Sequence, residues 1–85
     1  MKERDVAVLG SDVHAELMPS PVAGVPFPVH QLVLIAMGVP MLDNCDLEAL
    51  SEAAQKRGRW EFLLTTAPMA VPLGTGSALN PIAIF

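Results

Sequence analysis

The sequence predicts a small α/β unit built from two short helices and three to four short strands. Three observations carry this. Val6–Leu9 is a continuous apolar run closed by Gly10, the pattern of a strand buried on both faces. Asp43–Arg57 has helical spacing and helical punctuation at both ends. Trp60–Thr66, WEFLLTT, combines aromatic, leucine and threonine residues in a strand-length run.

Taken in order, the Val6–Leu9 strand delivers Ser11 and Asp12 just past its C-terminal end. In α/β sheets ligand-contacting residues collect there, although Gly-Ser-Asp is also ordinary turn chemistry. Val13–Val29 reads as a loop, because Pro19, Pro21, Pro26, Pro28 and Gly24 forbid regular structure over most of it. His14 lies at its start near Glu16 and reads first as a solvated loop histidine, with a metal ligand as the alternative. His30–Met37 lacks proline and glycine and is apolar almost all round, which predicts a short buried helix ending at Gly38. Pro28 marks the start, and His30 falls in the first turn. Val39–Leu42 then reads as a short extended segment restricted by Pro40.

Asp43–Arg57 is the clearest helix. Asp46 is a good N-cap and Glu48 suits the positive first turn. Leu47, Leu50 and Ala54 form one apolar stripe. Glu52 and Lys56 pair four residues apart, and Gly58 follows the last turn as the C′ residue. In Trp60–Thr66, Trp60, Phe62 and Leu64 share one side. Pro68 and Pro72 make the next stretch irregular. Gly74-Thr75-Gly76-Ser77 is a tight loop that lacks the spacing and following helix of a phosphate cradle. Ile82–Phe85 is a last short strand.

Composition sharpens the picture. Of 85 residues, 52% are apolar and only 16% charged, against about 25% charged in an average domain. A small domain has proportionally more surface and should be more polar, not less. The expectation is that residues 1–85 are part of a larger domain whose remaining surface covers the surplus. The alternative is a greasy but self-sufficient domain. Net charge is −4, and the basic residues Lys2, Arg4, Lys56, Arg57 and Arg59 build no basic face, which argues against nucleic acid. Cys45 stands alone and reads as a small buried residue. The longest apolar run, Leu32–Leu42, contains Gly38 and Pro40 and is too short to span a bilayer. Met1 is followed by charged residues rather than an apolar leader. A cytoplasmic protein without membrane contact is expected.

The available chemistry centres on His30 and Asp43. Imidazole nitrogen and carboxylate oxygen both ligate Zn²⁺ or Mn²⁺, and the two side chains converge if the chain doubles back after Gly38. A catalytic zinc takes about three protein ligands, of which two are evident. The competing reading makes His30 a helix-start residue and Asp43 a turn residue. No serine–histidine–acid order is persuasive, and Cys45 has no activating base nearby in sequence.

The segments RDVAVLGSD, PVHQ, AMGVPMLDNCDLEAL and RWEFLLTTAPMAVPLGTGSALNPIAIF together resemble the C-terminal part of the cyclase family, which includes metal-dependent arylformamidases (kynurenine formamidases). The resemblance covers nearly the whole chain. It implies an α/β swivelling β/β/α-type domain and a zinc- or manganese-dependent hydrolase of amide or cyclic ester and amide bonds. Small substrates of the N-formylkynurenine type, from tryptophan catabolism, would follow. It places a metal ligand on His30 and a second on Asp43, where the family more commonly has glutamate. His30 is also a candidate for proton transfer. The family's N-terminal signature, similar to His-x-Gly-Thr-His-x-Asp, is absent from these residues. The chain alone is therefore expected to bind metal weakly, to lack hydrolase activity, and to associate with an N-terminal portion or with itself. A different class of reading is a non-catalytic assembly module that oligomerises through the apolar strands.

Overall fold

A computed structural model describes residues 1–85. Strand β1 (Leu9–Gly10) lies parallel to β2 (Met41–Leu42), with Leu9 opposite Met41 and Gly10 opposite Leu42. Helix α1 (Pro28–His30) continues directly into a π-helical turn over Gln31–Ala36. After β2 come helix α2 (Glu48–Arg57) and the strands β3 (Leu63–Thr65) and β4 (Ile82–Ile84), which pair antiparallel. A 3₁₀ turn over Lys2–Arg4 precedes them all. The chain is thus a small α/β fold with two helical segments and two separate two-stranded sheets. It divides into two units, Met1–Leu47 and Glu48–Phe85.

In the first unit the predicted Val6–Leu9 strand pairs only from Leu9 onward, and none of its residues is fully buried. Leu9 N–H donates to the Pro40 carbonyl at 3.0 Å. Pro40 has no N–H to return, so the ladder stops there. Downstream it is extended by Ser11 N–H to the Leu42 carbonyl and Cys45 N–H to the Ser11 carbonyl. Ser11 and Asp12 form a turn, in which Ser11 Oγ donates to the Val13 carbonyl at 2.6 Å. Cys45 is half-buried.

The predicted helix over His30–Met37 forms and stops where expected. Met37 N–H reaches the Leu32 carbonyl, and Val39 N–H reaches the Val33 carbonyl. Gly38 sits between them at φ +66, a left-handed value that glycine adopts at no steric cost. The expectation of burial fails. Val33 is buried, but Leu32, Leu34 and Ile35 are exposed. An apolar helix needs neighbours on every side, and this unit supplies only a two-stranded ribbon.

In the second unit α2 begins at Glu48 rather than Asp43. Asn44 rules out a start at Asp43: its φ of +56 is left-handed and incompatible with a helix interior. The C-terminus follows prediction. Gly58 at φ +61 donates its N–H to the Gln55 carbonyl, and Arg59 N–H reaches back to Ala54, which is a Schellman closure. Ala54 is fully buried. Strand β3 matches Leu63 to Ile84, Leu64 to Ala83 and Thr65 to Ile82. Phe62 and Phe85 extend that pairing with rings 5.5 Å apart, and the Arg57 and Arg59 guanidinium groups lie 4.9 and 5.8 Å from the Phe85 ring centre.

Burial is sparse throughout. Only Val33, Val39 and Ala54 are buried apolar residues, while seventeen large apolar side chains are exposed. The chain exposes 6895 Å². Even two separate compact units of half its mass would expose only about 5,900 Å² together by the usual size scaling. No helix is long and apolar enough to cross a membrane.

Candidate metal centre

The site lies wholly within the first unit. The Gly38 reversal carries the chain from α1 back through β2, and Asp43 emerges one residue past Leu42. There His30 Nε2 lies 3.0 Å from Asp43 Oδ2. The two residues singled out from the sequence are therefore brought together.

Two further residues join them. Glu16, from the loop, meets the other ring nitrogen: His30 Nδ1 lies 2.9 Å from Glu16 Oε1. The same carboxylate accepts the backbone N–H of His30 at 2.7 Å and of Val29 at 3.2 Å. These are donors that a helix start leaves without intrahelical partners. His14 stacks on His30, with ring centres 5.1 Å apart and planes 21° from parallel. Phe27 stands edge-on to both imidazoles at 6.2 and 6.3 Å. His14 is exposed, as a loop histidine should be, yet it is not isolated. One ligand atom from each of His14, His30 and Asp43 lies within 4.8 Å of the others.

The electrostatics follow from this arrangement. Hydrogen bonding to Glu16 raises the His30 pKa, burial opposes the rise, and the hydrogen bond and charge of Asp43 reinforce it. When protonated, the ring can donate to both carboxylates, Nδ1–H to Glu16 and Nε2–H to Asp43. Burial pushes the Glu16 carboxyl up. The backbone and ring hydrogen bonds from His30, the Val29 N–H and the His30 charge outweigh that and hold it below the usual carboxylate value. The Glu16 side chain is 0% exposed, against 27% for His30 and 21% for Asp43.

These residues fit a divalent metal. Two ligands each about 2.0–2.1 Å from one zinc are separated by roughly 3.3 Å at the tetrahedral angle. The 3.0 Å between His30 Nε2 and Asp43 Oδ2 is close to that span. His14 shares the cluster but sits wider, within 4.8 Å, so its exposed ring would swing inward by up to about 1.5 Å to share such a zinc. Nitrogen and oxygen donors suit zinc and manganese alike. Glu16 behind Nδ1 completes a carboxylate–histidine pair of the kind that backs metal-bound imidazoles.

The chain matches no known family, curated protein or solved structure with which it was compared.

Sequence reasoning missed Glu16 and set His14 aside. The one available signal was their position two residues apart at the start of a loop that ends on His30.

Proposed function

We propose that this chain supplies part of the metal site of a hydrolase acting on amide or cyclic ester and amide bonds, arylformamidase-like in its chemistry. The observation that carries the reading is the meeting of His14, His30 and Asp43, three donors from a loop, a helix start and a strand end. The cyclase-family resemblance, drawn from the sequence segments alone, supplies the reaction class. A bound divalent ion would lower the pKa of its water to about 7 and polarise a substrate carbonyl.

In this reading His30 and Asp43 hold the metal and His14 is the third, more mobile ligand. His30 serves better as a ligand than as a proton carrier. A metal on Nε2 leaves only Nδ1, and Glu16 already occupies it. Further ligands of the His-x-Gly-Thr-His-x-Asp kind would come from a partner segment. The test compares the purified chain, alone and mixed with a segment carrying that signature, for zinc or manganese binding and for hydrolysis of N-formylkynurenine and of a lactone. Metal binding by the chain, with hydrolysis only in the mixture, is the expected result. Absence of metal binding in both samples would sink the reading.

A second reading, an assembly module, draws on a separate observation. Leu63, Leu64, Ile82 and Ile84 of the β3–β4 hairpin are all exposed, so the hairpin leaves apolar side chains for another surface to cover. A metal-independent, well-folded homodimer in analytical ultracentrifugation would favour this reading over the first.

A further inference from the structure

The least expected feature of the first unit is a carboxylate with no exposed side-chain surface on an irregular, proline-rich loop. Glu16 is shielded from solvent and holds three donors. Two of them belong to one residue. Oε1 takes both the backbone N–H of His30 at 2.7 Å and its ring Nδ1 at 2.9 Å. An imidazole tied at its backbone and at its ring by a single oxygen has little freedom left about its side-chain torsions. The tie also has a chemical direction. A carboxylate only accepts hydrogen bonds, and a neutral ring has one proton for the two that face it: Nδ1–H serves Glu16, whose side chain is 0% exposed, whereas Asp43, 21% exposed, can turn to water instead. With the proton on Nδ1, the lone pair of the neutral ring is on Nε2, available to a cation shared with Asp43, whose Oδ2 lies 3.0 Å away.

We propose that Glu16 is the positioning residue of this site: it holds His30 in the Nδ1–H tautomer and aims Nε2 at the point shared with Asp43. Glu16 does not touch the metal. It acts through His30, fixing ring orientation and raising ligand basicity, as outer-shell carboxylates do. The inference rests on the metal reading above, but its tautomer component can be measured without any metal. A purely structural Glu16, tying the loop to the start of α1, would need only the backbone N–H groups of Val29 and His30. It would leave the ring free to adopt the Nε2–H tautomer that unconstrained imidazole prefers.

The experiment uses the full 85-residue chain as wild type, Glu16→Gln and Glu16→Ala. Nitrogen-15 NMR of the histidine rings, in metal-free protein at a pH where His30 is neutral, reports the tautomer. Titration with Co²⁺, followed by its visible absorption, reports affinity. Wild type is expected to show the Nδ1–H form. Glu16→Gln keeps an acceptor oxygen and is expected to retain that form, binding Co²⁺ within about tenfold of wild type. Glu16→Ala is expected to shift to Nε2–H and to bind about 10- to 100-fold more weakly. A wild-type His30 in the Nε2–H form overturns the proposal by itself, and decides the matter even where Glu16→Ala does not fold. Equal Co²⁺ affinity in wild type and a folded Glu16→Ala also overturns it while leaving the metal site standing. A wild type that shows Nδ1–H but binds no Co²⁺ removes the metal site and, with it, the aiming role assigned to Glu16.

Discussion

Zinc should stabilise the first unit by an amount that the geometry divides unequally among its three donors. At a free zinc concentration one hundred times Kd, mass action contributes about 2.7 kcal/mol to the folded state. In a domain of this size each kcal/mol moves Tm by about 4–8 °C, so the expected rise is roughly 11–22 °C. His30 Nε2 and Asp43 Oδ2 already sit 3.0 Å apart, whereas His14 must move inward to bind. His30→Ala and Asp43→Ala should therefore abolish the rise. His14→Ala should weaken binding by about tenfold, leaving about 1.4 kcal/mol at the same zinc concentration. Thermal melts followed by circular dichroism, in EDTA and in buffered zinc, measure all four proteins. An equal zinc-induced rise in wild type and His30→Ala would refute the reasoning, because the ion would then be bound elsewhere.

The remaining predictions concern the metal-free chain. His30 has a raised pKa, so its contribution is complete below the ordinary imidazole value of 6.5 and is lost as pH climbs through the raised one. Glu16 is depressed, so its contribution is complete above the ordinary 4.5 and is lost as pH falls through the lowered value. Stability of the first unit in EDTA should thus peak between about 4.5 and 6.5. Urea titrations across pH would show whether His30→Gln removes the alkaline limb, as expected. Gly58→Ala places a side chain at φ +61 and should destabilise α2 by about 1 kcal/mol, measurable as a lower urea midpoint at unchanged slope. Val33→Ala, at one of the few buried positions, should cost roughly 1.5–2.5 kcal/mol from two lost carbons and the cavity they leave; a loss under about 0.5 kcal/mol would mean that the site is not packed in solution. Leu63→Lys with Ile84→Lys, at directly paired positions of the hairpin, should lower any self-association seen by sedimentation, and unchanged association would exclude the β3–β4 face.

What could be read from the sequence depended on whether a single residue type dictates its own geometry. Gly38 and Gly58 do. Each stands where a helix must end in a left-handed residue, and both were located from sequence. The reversal at Gly38 in turn made the meeting of His30 and Asp43 legible, because a short helix folded back on a short strand has few places to put its ends. Proline, by contrast, says only what a segment cannot be. Four prolines between His14 and His30 predicted a loop correctly but not its path, and the path brings Glu16 under His30. Asn44 shows the same limit from the other side. Its left-handed backbone keeps Asp43 out of α2, which starts at Glu48, yet asparagine tolerates that conformation without requiring it, so the helical pattern could be drawn from Asp43 onward.

Apolar pattern has a further limit. It records that a surface is to be covered, not what covers it. The runs Val6–Leu9 and His30–Met37 read as buried; within these 85 residues Val6, Val8 and Leu9 are only half-buried, and Val33 alone of the helix is buried. The polar site behaves in the opposite way. Glu16 is shielded from solvent, and the two ring nitrogens of His30 each have a carboxylate partner. Generic apolar burial tolerates many arrangements. A carboxylate that accepts three hydrogen bonds at 2.7–3.2 Å tolerates few, because moving it by an ångström strands a buried charge. The geometry of this chain is thus specified most tightly at His30, where the candidate metal ligands meet, and most loosely over the apolar faces that remain to be covered.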